Sequence, residues 1–202
     1  MKQKIVIDTD PGIDDTMAIF LALNSLEIDV LGLTTVYGNT PTERGTKNAL
    51  RILEIASRTD IPVYSGAIKP LKTEYTGKGE FVHGHDGQGN TNLQDPVIRA
   101  ATGSAVDFLE KTIKENPGEV TLVPIGPLTN IGELFIKNPN IGKDIKEIIL
   151  MGGNALSIDP TQMLTCGGTV YAASGFSTTT PGGWRYVDTI QGPDSVSYYI
   201  YA

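Results

Sequence analysis

Four carboxylates fall within eight residues near the start of the chain, Asp8-Thr9-Asp10-Pro11-Gly12-Ile13-Asp14-Asp15, with no Lys or Arg among them. Like charges packed so closely repel one another and resist removal from water unless a cation joins them. A hard divalent ion meets that demand: Ca2+ takes roughly six to eight oxygen ligands and favours carboxylates. Pro11-Gly12 supplies a sharp turn, so acids from a strand end and a helix start can converge. Helix capping is the competing reading, in which Asp14 and Asp15 simply favour the positive end of the helix that follows. Capping accounts for two acids more readily than for four.

Two other acidic motifs fit less well. A calcium-binding EF-hand loop needs Gly at its sixth position and Glu at its twelfth, where counting from Asp8 gives Ile13 and Ile19. The Asp-x-Asp pair is also similar to that of haloacid-dehalogenase-type phosphatases, which would make Asp8 a nucleophile. Those proteins carry Thr or Val two residues after the second Asp, where this chain has Gly12. They also carry an acidic loop after a late strand, where it has Met151-Gly152-Gly153-Asn154.

The elements that must hold these residues alternate in kind. Apolar runs ending in polar or Gly-rich turns read as buried parallel strands at Lys4–Asp8, Val30–Val36, Ile61–Tyr64, Val120–Val123 and Ile145–Met151. Helical spacing runs between them over Asp14–Leu23, Thr42–Arg58, Ala101–Lys114 and from Gly126 through Phe135. Such alternation predicts an α/β fold, an open, mostly parallel sheet with helices on both faces. Ligands of such sheets sit at the carboxyl ends of the strands. Asp8–Asp15, Asn39, Ile125–Asn130 and Met151–Asn154 all fall there. Both histidines, His83 and His85, lie in a Gly-rich polar stretch over residues 77–92.

Composition removes several classes of partner. With 16 basic and 23 acidic residues the formal net charge is −7, which disfavours nucleic acid or an anionic membrane. The single cysteine, Cys166, rules out an internal disulfide framework, and no activating neighbour marks it as reactive. No apolar run approaches the ~18 residues of a membrane span, and the first residues lack a signal-peptide core. A cytoplasmic protein is the expectation.

Five segments, in order, resemble the signature of the inosine–uridine-preferring nucleoside hydrolases: the acidic string itself, Val36-Tyr37-Gly38-Asn39, His83-Gly84-His85-Asp86-Gly87, Gly126-Pro127-Leu128-Thr129-Asn130 and Met151-Gly152-Gly153. Together they cover residues 4–156. The resemblance implies Ca2+-dependent hydrolysis of the N-glycosidic bond of ribonucleosides to ribose and free base, with a small-molecule nucleoside as the partner and a homo-oligomer by family analogy. It implies that Asp10 and Asp15 ligate the metal together with the main-chain carbonyl of Ile125. Asp10 would also take the proton of the attacking water, and Asp8 and Asn130 would support the site. Asp14, Asn39 and Met151 would line the sugar. His83 would lie beside the base and help it leave, whereas His85 reads as a solvated loop residue.

The resemblance fades after residue 156. Family members continue with an Asn/Glu-containing ribose segment ending in Asp-Pro and, much later, a His-Asp pair; neither occurs here, and no His follows His85. Residues 157–202 hold four of the 39 charged groups, the only Trp and Cys, and five of the eight Tyr. The expected division is therefore a nucleoside hydrolase-like domain over 1–156 and an unmatched tail over 157–202, truncated or read out of frame. One permitted back-translation of Thr161–Thr169, read from the third base of each codon, gives A-N-A-D-V-W-W-D, which resembles the family's ribose segment. A catalytically inactive partial domain is the alternative.

Overall fold

The computed structural model describes residues 2–151, apart from 73, 76 and 78, together with four two-residue strands further on. Strand β1 (Gln3–Thr9) alternates its side chains between two cores. Ile5 and Ile7 pack on one side of the sheet with residues of β2 (Ile28–Thr35), α1 (Ile13–Asn24) and α2 (Thr42–Ile55); Val6 packs on the other with Leu109, Ile113, Ile131 and Leu134 from two later helices. A strand covered on both faces has no polar face to offer, which is why these runs are so uniformly apolar.

After β2 and α2 come β3 (Val63–Ser65), a four-residue helix α3 (Glu80–His83), α4 (Ala105–Glu115), β4 (Val120–Pro124), α5 (Thr129–Lys137) and β5 (Ile145–Ile148). The five strands form one sheet in the order β3-β2-β1-β4-β5, with every pairing parallel. Burial of α1 and α2 on one face, and of α4 and α5 on the other, makes three layers. The strand order reverses between β1 and β4, and a crevice opens outside their carboxyl ends at such a switch point. The acidic string follows β1, and Ile125 follows β4.

Several boundaries differ from those read in the sequence. Helix α2 stops at Ile55 rather than Arg58, because Ser57 turns the chain at a φ of 55°. Helix α4 begins at Ala105, where the Ser104 side chain caps it by accepting from the Asp107 N–H at 3.0 Å. Strand β5 ends at Ile148, yet the Ile149 and Met151 N–H groups still donate to the Leu122 and Pro124 carbonyls at 2.8 and 2.9 Å. That continuation carries Met151 to the carboxyl end of β4. Helix α3 has no counterpart in the sequence reading, because its single turn lies in a Gly-rich stretch with too few residues to display a period. On α1 the apolar residues divide: Ile19 and Ala22 are buried, whereas Met17 and Leu21 face solvent.

Beyond residue 151 two strand pairs are described, Thr165–Cys166 with Thr169–Val170 and Ile190–Gln191 with Ser197–Tyr198, both antiparallel. The other expectations for residues 157–202, including the chemistry of Cys166, lie outside the described residues.

Candidate active site

Asp8, Asp10 and Asp15 are each at least 95 % buried, and among the described residues no Lys or Arg side chain hydrogen-bonds or ion-pairs with any of them. Their environments separate them. Asp8 lies at the carboxyl end of β1, where Oδ1 accepts the Thr34 hydroxyl at 2.5 Å and the Asn130 amide at 2.7 Å, while Oδ2 has no partner among the described residues. Burial pushes its pKa up to about 7, against the opposing pull of those two bonds. A side chain so enclosed cannot meet a phosphate, which removes Asp8 as the nucleophile of a phosphatase-type reaction.

Asp15 is both a cap and a cluster member. Its Oδ2 accepts the Gly12 N–H at 3.1 Å, satisfying the start of α1, and also the Asn39 side-chain amide at 3.0 Å; Oδ1 takes the Thr9 hydroxyl at 2.6 Å. Capping and clustering therefore coexist in one residue. Burial is the first cause raising its pKa. Asp14 projects outward, with its side chain 64 % exposed.

Asp10 is held between two backbone segments. Its Oδ2 accepts the Asn39 N–H at 2.6 Å. A Cβ at Gly38 would lie 1.9 Å from that same Oδ2, and one at Gly126 would lie 2.7 Å from Oδ1, so both turns depend on glycine to approach the carboxylate. Burial first, and then repulsion from Asp15, push the Asp10 pKa up to about 8. A carboxylate so placed is avid for either a proton or a cation.

The residues singled out in the sequence converge here. Asp10, Asp14, Asn39, Ile125 and Met151 line a single cleft of about 340 Å3 at the switch point, closed on one side by Gly126-Pro127-Leu128. Asp8, Asp15 and Asn130 lie behind that wall. Asn130 is fully buried at the start of α5, where its Nδ2 donates to Asp8 and to the Thr35 carbonyl at 3.0 Å while its Oδ1 accepts the Ala67 N–H at 2.8 Å. It ties the ends of β1, β2 and β3 to one helix.

His83 is buried against Gly12 rather than set in the cleft wall. Its Nδ1 accepts the Ile13 N–H at 3.2 Å and lies 3.7 Å from Asp14 Oδ1. An accepting Nδ1 leaves the proton of the neutral ring on Nε2. His85 is exposed and meets Glu80 at 3.0 Å, in keeping with a solvated loop residue. Thr9, Thr34 and Tyr75 also serve this site, Tyr75 by donating to the Gly38 carbonyl. Nothing in the local pattern marks them, since a threonine in a strand and a tyrosine in a loop are ordinary.

The oxygen-rich, cation-poor surroundings of Asp10 and Asp15 fit a hard divalent ion, with Ile125 on the same cleft. Among the described residues no three His, Cys, Asp or Glu side chains are grouped to hold a metal. No helix among the described residues is long and apolar enough to cross a membrane.

Known proteins are similar to this chain in sequence and in fold. The family model described as inosine-uridine preferring nucleoside hydrolase matches residues 5–174, running past residue 156. The chain is 48 % identical over 153 residues to a probable uridine nucleosidase 2 of Arabidopsis thaliana, covering 75 % of this chain and 48 % of that protein. It is 43 % identical over 155 residues to the pyrimidine-specific ribonucleoside hydrolase RihA of Shewanella woodyi, covering 77 % and 49 %. Among solved structures, the plant nucleoside hydrolase PpNRh1 superposes with a TM-score of 0.74 at 46 % identity over 76 % of this chain and 49 % of that one. A purine-preferring ribonucleoside hydrolase from Gardnerella vaginalis gives 0.72 at 37 %, over 75 % and 49 %. The chain thus spans about half the length of the relatives it matches. With the family model matching more than four-fifths of its residues and the five-stranded parallel sheet superposing on solved members, the chain belongs to the inosine-uridine preferring nucleoside hydrolase family.

Proposed function

We propose that this chain supplies the metal-binding and ribose-binding half of a Ca2+-dependent nucleoside hydrolase, cleaving ribonucleosides to ribose and free base. The observation that carries this reading is the convergence of Asp10, Asp14, Asn39, Ile125 and Met151 on one cleft at the switch point. The names of the relatives, nucleosidases and ribonucleoside hydrolases, support it.

Breaking an N-glycosidic bond builds positive, oxocarbenium-like charge on the ribose, which a carboxylate-lined cleft stabilises. Asp10 acts as general base: its carboxylate lines the cleft, and burial and repulsion from Asp15 raise its proton affinity. Asp14, exposed at the cleft, accepts from a ribose hydroxyl, and Asn39 and Met151 flank the sugar. His83, buried just outside the cleft lining with its Nδ1 taken by the Ile13 N–H, would serve the departing base from the Asp14 side. Asp10, Asp15 and the Ile125 carbonyl would hold the Ca2+, with Asp8 and Asn130 bracing them from behind. The bound ion would supply positive charge that orients the ribose diol and makes water easier to deprotonate.

Release of reducing sugar from uridine and inosine, with and without chelator, tests the reading beside phosphate release from a phosphomonoester. Folded protein that frees no ribose leaves the second reading, a partial domain without catalysis. Asp10→Ala abolishes ribose release; an active Asp10→Ala protein refutes the general-base assignment.

A further inference from the structure

Tyr75 lies in the segment between β3 and α3 and donates its hydroxyl proton to the Gly38 carbonyl at 2.9 Å. The same peptide unit, turned over, presents the Asn39 N–H to Asp10 Oδ2 at 2.6 Å. We propose that Tyr75 is a positioning residue for Asp10, acting through the Gly38–Asn39 peptide.

A peptide group is planar, with its C=O and N–H on opposite edges, so it cannot rotate without straining both of these bonds together. A proton donated to the carbonyl also polarises the amide and strengthens its N–H as a donor. The arrangement leaves no room for a substitute: a Cβ at Gly38 would collide with the Asp10 carboxylate, so backbone alone fills the gap. The tyrosine is itself held. Its ring stands edge-on to Tyr37, with centroids 5.3 Å apart at 61°, and the Tyr37 hydroxyl pairs with Thr129 at 2.8 Å at the start of α5. The hydroxyl remains a donor, since burial and then the Asp10 charge raise its pKa. Its consequence for turnover rests on the reading of Asp10 as general base; its hold on Asp10 does not.

Tyr75→Phe deletes the hydroxyl and keeps the ring. In the full chain, the Asn39 amide proton is expected to move upfield and to exchange with solvent about tenfold faster, the effect of losing one supporting hydrogen bond. Asp10→Asn, which weakens the acceptor, serves as the control for that resonance. Nucleoside hydrolysis by Tyr75→Phe is expected to fall about tenfold in kcat with KM unchanged, a split that general loosening of the fold would not give. Tyr75→Leu provides a second hydroxyl-free chain should the first not fold. An unmoved Asn39 amide in a folded variant overturns the proposal, as does unchanged kcat in an active one. If the amide responds while the parent chain hydrolyses no nucleoside, the catalytic reading fails and the hold of Tyr75 on Asp10 stands.

Discussion

Asp8 and Asp10 face the same physical problem and resolve it differently. Both are stripped of water, and both have raised pKa values, about 7 and about 8, from ordinary values near 3.8. An acid whose folded pKa lies above its unfolded one favours the folded state fully below the unfolded value, and that contribution is lost as pH rises through the folded value. In chelator, the chain is therefore expected to melt at a higher temperature at pH 5 than at pH 8, and equal melting temperatures would contradict the burial of these carboxylates. Adding Ca2+ should oppose the trend, raising the melting temperature most at pH 8, where protons no longer compete for Asp10 and Asp15. At a hundredfold excess over Kd the gain is about 2.7 kcal/mol. No Ca2+ effect at either pH would exclude the proposed ligands.

At the scale of elements, what matters is how strand ends are kept together. Asn130 reaches from the first turn of α5 to β1, β2 and the segment after β3, using both of its N–H donors and its carbonyl oxygen. Asn130→Ala strands the half-buried Ala67 N–H and removes one partner from buried Asp8, for an expected destabilisation of about 2 kcal/mol. Urea denaturation measures this directly, and a loss under ~0.5 kcal/mol would mean that water replaces the amide. The Ser104 cap is a more modest case: Ser104→Ala should cost about 1 kcal/mol without disturbing the cleft, because α4 begins far from it in the chain.

For the whole molecule, the decisive fact is that five parallel strands gather Asp10, Asn39, Ile125 and Met151 on one cleft at a switch point, while the chain spans about half the length of its relatives. Much of this was legible in the sequence. The strand and helix alternation followed from apolar runs and periods, and Asp8 to Asp15 announced a charged site by density alone. Motif order carried Asn39, Ile125 and Met151 into the same neighbourhood. Helix α3 was hidden by its brevity, and Tyr75 and Thr34 by being unremarkable residues whose partners lie 37 and 26 positions away. The sequence by itself determined the type of sheet and the presence of a carboxylate cluster, because those depend on local hydrophobicity and charge. Only the tertiary structure decided that Asp8 lies buried behind the wall, that Asp10 faces the cleft, and that a tyrosine stands behind the peptide holding it. Burial and hydrogen-bond partnership are properties of residues brought together from distant parts of the chain, and no local pattern encodes them.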